Sequence, residues 1–380
     1  MILFVQPFGL GTPSGGSRIL RSLLENAPAK WLSVVASPNT APPAPFGEEL
    51  HVRSRPSFGR LERTRFSRWF KHLDGWAGSR LDSKLNQIVK QQGVTAVHAI
   101  AHECWDALAA FKVAKRNGLP FFLSVHDDPA YVLQGHPLQK KMLSAVEDCW
   151  NEARARFVIS EELGEELCRQ WGKKDHILVT DGLADIAKQP RPAHPNRVSV
   201  YFMGLMHNSY EPNFVTLQKA LRLVSERQPK LKTSLVLRCG SIRNGAVIHP
   251  EMLRVLPFGS ESEVQSDLEN VDVLYQPLPF DPTHALLNAY SLSTKMITYL
   301  GSGLPILFHG PADSAAGKLL KKNQAAFVCD SNDPEQLAQT LTRAIGNERG
   351  VVVLSALKLA SERFQLCEVR ERFWGAIKSN

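Results

Sequence analysis

The chain has 380 residues, 43% apolar and 22% charged, an ordinary globular balance that exceeds one ordinary core and fits two domains of average size. No apolar run reaches the roughly 18 residues a spanning helix needs, and a net charge of +8 favours anionic partners without naming one. The six cysteines (Cys104, Cys149, Cys168, Cys239, Cys329, Cys367) are scattered without a CxxC pair or zinc spacing, which argues against a disulfide framework and for reduced, packed thiols in a cytoplasmic protein.

The opening MILFVQPFGLGTPSGG has no basic n-region and turns to glycine after a few apolar residues, so it reads as a strand and loop, not a signal peptide. Apolar runs then predict strands near 2–6, 31–36, 96–101, 121–126, 157–160 and 176–180. Helix-length stretches separate them near 17–26, 105–117, 139–153 and 161–170, an alternation that predicts a doubly wound α/β domain over 1–183. Residues 184–196, ADIAKQPRPAHPN, hold three prolines and no apolar period, and read as a linker. The alternation restarts over 197–360, with strands expected near 198–203, 234–239, 255–258, 271–276, 305–308 and 326–329. The intervening helices are expected near 212–223, 261–268, 293–300, 312–320 and 334–345. A final helical stretch spans 354–378, and its portion 361–380 is expected to return to the first domain.

Between Arg53 and Lys84 nine Lys/Arg face Glu62, Asp74 and Asp82, which concentrates most of the net charge in one segment. Phe66, Trp69, Phe70 and Leu73 fall at i, i+3, i+4 and i+7 and make one apolar face beside those charges. Two readings stay open: the face lies on an anionic membrane, or it packs on the sheet while the charges are solvated. No recognised nucleic-acid module accompanies the charge, so nucleic acid is not expected as a partner.

The stretch SLSTKMITYLGSGLPI over 291–306 places Ser293, Thr294 and Lys295 at a helix entry, followed by Tyr299-Leu300 and Gly303-Leu304-Pro305. This order resembles the sugar-nucleotide site in the second domain of GT-B glycosyltransferases, in the broad family of retaining group 1 (family 4-like) enzymes. The resemblance covers nearly the whole chain and is sharp only at short segments. It implies two Rossmann-like doubly wound domains facing a central cleft. It also implies a diphosphate held near Lys295, Ser293 and Thr294, where anions suit helix starts and cations. Two acidic residues usual in the family correspond to Tyr290 and Thr298; a Thr hydroxyl at 298 implies weaker or altered ribose recognition. Gly204 matches the first-strand glycine of the family's second domain, but Leu205-Met206-His207-Asn208 follows it where Arg or Lys is often found. Arg238 is a substitute cation or, equally, a structural ion-pair partner. Read without the resemblance, Ser293 caps an ordinary helix and Lys295 is solvated.

In the first domain the loop Gly9–Gly16 leaves a strand and enters a helix, and lacks the Gly-Lys-Ser/Thr ending of a P-loop. The resemblance puts Gly15 and Gly16 against the donor phosphate or the acceptor; a simple tight turn is the other reading. His102 and Glu103 are similar to an acceptor-side pair of the family, whereas His98 reads as structural. The HExxH zinc pattern is absent because Glu103 is followed by Cys-Trp-Asp, and no metal is expected. His126, ending the strand before Asp127-Asp128, matches a family His whose ring and carbonyl face the donor sugar as positive charge develops.

The expected activity is transfer of a sugar from a nucleoside diphosphate sugar to a glycan or lipid-linked acceptor in bacterial envelope or exopolysaccharide synthesis, with retention implied by the resemblance alone. No cofactor is expected. Expected partners are the nucleotide sugar, that acceptor and, through 53–84, the inner face of the membrane. The alternative is a non-catalytic GT-B-like glycan-binding or partner-activating subunit. An epimerase would need acidic and basic groups converging on the sugar, and no sequence pair argues for them.

Overall fold

A computed structural model describes the chain except residues 38–41, 53–59, 61–63, 65–66, 103, 241, 243 and 379–380, and except the side chains of 67–68, 74–79 and 244. Two compact units form: Met1–Asp181 together with Cys367–Asn380, and Gly182–Leu366.

The first unit is built on seven parallel strands, β1 (Ile2–Gln6), β2 (Trp31–Ala36), β3 (Glu49–Val52), β4 (Ala96–Ile100), β5 (Phe121–Val125), β6 (Ala155–Val158) and β7 (Ile177–Leu178). Their order is β3-β2-β1-β4-β5-β6-β7. Every residue of β1, β4 and β5 is buried, as expected for parallel strands covered by helices on both faces. The winding reverses between β1 and β4, and in such sheets ligands gather beyond the carboxyl ends of the strands at that point. The helix Leu366–Lys378 closes this core: Phe373 packs on Phe157 with ring centroids 4.8 Å apart, and Trp374 donates its indole N–H to the Leu23 carbonyl at 2.9 Å.

The second unit carries β8 (Arg197–Met203), β9 (Lys232–Arg238), β10 (Leu253–Leu256), β11 (Val273–Pro277), β12 (Ile306–His309) and β13 (Phe327–Cys329). The order β10-β9-β8-β11-β12-β13 is again all parallel, with the reversal between β8 and β11. Alternate residues of β8 feed two cores: Tyr201 and Met203 join Met296, Ile297 and Leu300, while Val200 and Phe202 join Phe214, Tyr275 and Leu341.

Two sequence expectations change here. Residues 184–196 are not a free linker, because they belong to the second unit and are bonded to it. Ala187 and Arg191 donate their N–H groups to the carbonyls of Gly301 and Gly303 at 2.8 Å each, and the Arg191 Nε donates to the Ser302 carbonyl at 2.9 Å. Three prolines suit a strap that runs extended over another segment as well as they suit a loose connector. The closing helical stretch is also two helices, Arg349–Arg363 and Leu366–Lys378. They break where Leu183 bridges Gln365: its N–H reaches the Phe364 carbonyl at 2.7 Å, and its carbonyl accepts from Leu366 at 2.9 Å. The edge strand β3, paired with β2 through Ser33 and Glu49, carries no apolar run that the sequence pattern detects.

Candidate functional sites on the two units

In the second unit, β8 ends at Gly204, whose φ of +104° is a conformation other residues enter only with strain. A Cβ at this position would lie 3.4 Å from Cε of Lys295. The structure therefore joins two of the sequence-derived candidates at the carboxyl edge of the sheet, next to its winding reversal. Lys295, half-buried on the helix Thr294–Leu300, sets its Nζ 4.2 Å from the Phe202 ring centroid and 5.4 Å from that of Tyr210. Among the described residues no carboxylate pairs with it. Burial pulls its pKa from 10.5 down to about 7, so an aromatic floor holds a cation that lacks a counter-anion.

Ser293 takes the N-cap position of that helix, but its hydroxyl makes no cap hydrogen bond, and Thr294 beside it is half-buried. Thr298 is buried and donates its hydroxyl to the Thr294 carbonyl at 3.3 Å, so it spends inside the helix the proton expected for a ribose. Arg238 is a correction. Its guanidinium bonds both oxygens of Asp267 and reaches the Pro257 carbonyl at 3.0 Å, while the Tyr201 hydroxyl donates to Asp267 at 2.8 Å. The hydrogen bond to Asp267 raises its pKa, and the group is a locked structural ion pair, not a cation awaiting phosphate. The glycines that follow the helix Thr294–Leu300 face another segment of the chain. A Cβ on Gly301 would press on Leu183 at 2.8 Å, and one on Gly303, at φ +78°, would press on the Gln189 carbonyl at 2.9 Å. These glycines admit the strap.

Two residues missed by sequence reasoning complete the cluster. The Tyr210 ring packs edge-on against His207 with centroids 5.3 Å apart while also lying under Lys295. The pKa of His207 is lowered, first by burial and then by the charges of Lys295 and His284. The detectable signal was a titratable ring three residues after Gly204, where only Lys or Arg was sought.

In the first unit the loop after β1 is fastened from several sides. Ser17 donates its hydroxyl to the carbonyls of Gly9 and Leu10 at 2.8 Å each, and Arg21 reaches the Leu10 carbonyl at 3.0 Å. The buried carboxylate of Glu49, from β3, accepts the Leu10 N–H at 2.9 Å; nothing in the sequence marked that residue. Ser14 caps the helix Gly15–Leu24, which puts Gly15 and Gly16 in its first turn. Gly16 is needed small: a Cβ there would lie 2.7 Å from the Phe8 ring and 3.3 Å from Nδ1 of His126.

His126 thus meets Gly16. Its ring stacks on Phe8 at 6.5 Å, and Nδ1 is buried without a hydrogen-bond partner among the described residues. Burial, then the charge of His102, lowers its pKa to about 4, so the ring is neutral at physiological pH. His102 sits 3.9 Å from Asp127, and Asp128 caps the short helix Pro129–Val132 through the N–H groups of Ala130 and Tyr131. His98 lies in the core, bonded to Ser124 at 2.8 Å and packed on Phe4 and Phe373. Glu103 lies outside the described residues.

Solved structures resemble the chain across its full length. Sucrose-phosphate synthase of Thermosynechococcus elongatus aligns with a TM-score of 0.68 at 11% identity, covering 100% of this chain and 98% of its own. HepE of Anabaena, in complex with UDP and glucose, gives 0.67 at 12%, with 100% and 99% covered. The chain has the GT-B fold. A GT-B-like Listeria monocytogenes protein named for UDP-N-acetylglucosamine 2-epimerase gives 0.60 at 13%, covering 100% and 96%, so different chemistries share this scaffold. No family model matches the sequence, and neither does any curated protein.

The basic segment is partly outside the described residues, Phe66 among them. In the helix Ser67–His72, Trp69 is 77% exposed, so this part of the aromatic face does not pack on the sheet. No described helix is long and apolar enough to cross a membrane.

Proposed function

We propose that the chain is a glycosyltransferase that takes its sugar from a nucleoside diphosphate sugar. The observation that carries this reading is Lys295, a cation on an aromatic floor beside Gly204, without an acidic partner among the described residues. A diphosphate supplies the missing charge, and Gly204 leaves room for it. UDP and glucose in HepE make a UDP-sugar the first donor to test.

In the reaction, the bond from the anomeric carbon to the donor phosphate oxygen breaks and a bond to the acceptor oxygen forms. The acceptor proton leaves with the nucleoside diphosphate. His126, neutral and with an unpartnered Nδ1, is assigned to bind a sugar hydroxyl, and its carbonyl to face the developing positive charge. Gly15 and Gly16 are assigned to the same substrates, and His102 to the acceptor. Retention follows from the family resemblance. The acceptor is a glycan or a lipid-linked sugar in bacterial envelope or exopolysaccharide synthesis, reached at the inner membrane face. Exposed Trp69 within a basic segment supports that docking.

A non-catalytic binding subunit is the second reading, favoured by Thr298 turning its hydroxyl into the helix. Calorimetric titration with a panel of UDP-, GDP- and ADP-sugars, followed by donor hydrolysis and transfer assays, tests both. Binding with turnover supports the enzyme, binding without turnover the subunit, and no binding by any donor rejects the transferase.

A further inference from the structure

We propose that His207 is a second donor-binding cation, standing with Lys295 at the end of β8 as a proton-switched contact for the diphosphate. This rests on the donor reading of Lys295. Gly204, Phe202, Tyr210, His207 and Lys295 form one cluster in which Tyr210 is the shared wall: Lys295 Nζ is 5.4 Å and the His207 ring 5.3 Å from its centroid. His207 is solvent-exposed, just past the chain turn that Gly204 makes.

The groups acting on His207 have one sign. Lys295 faces it from the helix Thr294–Leu300, and His284 from the turn Pro282–His284. Tyr210, on its own turn Asn208–Tyr210, presents a neutral ring. Of the acids on the adjoining turns, Asp281 caps the N–H of Thr283 at 2.8 Å, and Glu211 turns its carboxylate towards Gly245. Without an anion, His207 therefore resists protonation. A bound diphosphate reverses the field and favours the imidazolium, which donates a charge-assisted hydrogen bond. Donor binding then takes up a proton, and affinity falls as pH rises through the pKa of His207 in the complex. A fixed Lys or Arg at this place lacks that dependence.

UDP-glucose is the probe, because its diphosphate has no proton to lose in this range. Calorimetry at about pH 6 and about pH 8, in buffers of differing ionisation enthalpy, reads affinity and proton uptake together. The expected result for His207→Gln is about tenfold or greater weakening at the lower pH and little change at the higher, with reduced proton uptake. His207→Arg is expected to keep the affinity and flatten its pH dependence below about 7, which also shows that the position tolerates change. The Lys295 dependence above about 7 persists in both variants. If His207→Gln binds UDP-glucose as the natural chain does at about pH 6, while Lys295→Ala has lost it, the His207 proposal fails and the donor reading stands. If the natural chain binds no nucleotide sugar, both fail.

Discussion

Replacing Lys295 by methionine keeps the length of the side chain and removes its charge. The ammonium rests on Phe202 and Tyr210 without an acidic partner among the described residues, and burial brings its pKa from 10.5 to about 7. That makes charging it in the folded unit cost about 5 kcal/mol more than in water, trimmed by partial exposure to about 2–4 kcal/mol. The unfolded chain holds the lysine proton up to 10.5 and the folded chain only to about 7, so between these values the unfolded state binds more protons. Stability from this group therefore rises as pH goes from about 7 to 10.5, and the penalty is fully present below about 7. Lys295→Met is expected to raise the Tm of the second unit by about 5–10 °C at neutral pH, with the gap closing towards about pH 10. Thermal unfolding of both proteins, followed by circular dichroism across that range, measures it. The same variant should lose the rise in Tm that a nucleotide sugar gives the natural chain. A variant that melts at or below the natural chain at neutral pH, or a gap indifferent to pH, refutes the argument for an unpaired buried cation.

Arg238→Met leaves Asp267 with a buried charge and should cost about 3–5 kcal/mol in urea unfolding, while UDP-sugar affinity of the folded variant stays within about twofold. Lost affinity at unchanged stability would return Arg238 to the donor site. Gly303→Ala meets both a left-handed backbone and the Gln189 carbonyl, and should cost about 1–3 kcal/mol, read by denaturant unfolding; an unchanged midpoint contradicts the strap packing. His126→Ala should lower transfer about a hundredfold or more with donor affinity intact. An unaffected rate removes His126 from the chemistry.

Much of the fold was legible because buried parallel strands are written as unbroken apolar runs. ILFVQ and FFLSV are read as strands from the sequence and found as β1 and β5. Gly204 with Lys295, and Gly16 with His126, were legible as candidates because glycine beside a polar group at a strand end leaves a pattern. The pattern says nothing about direction. Gly301 and Gly303 look like a ligand loop in sequence, yet the neighbour they accommodate is the segment Leu183–Arg191, more than a hundred residues earlier. Arg238 is ambiguous for the same reason: its carboxylate partner Asp267 is 29 residues away and on another element. Glu49 was invisible because its role is to hold the N–H of Leu10, a contact that only the pairing of β2 with β3 creates.

The first unit is discontinuous in sequence, whereas Gly182–Leu366 is one unbroken stretch. During synthesis the first strand is made long before the side chains that seal its sheet, Val369, Phe373, Trp374 and Ile377, which follow the whole of the second unit. Arg370, which ties the same helix to the Ser22 carbonyl at 2.7 Å, arrives with them. The later-made unit therefore has all its own residues before the earlier one does. A ribosome that stalls or terminates shortly after Leu366 releases a chain whose second unit is complete and whose first unit presents an open apolar face, a substrate for chaperones and proteases.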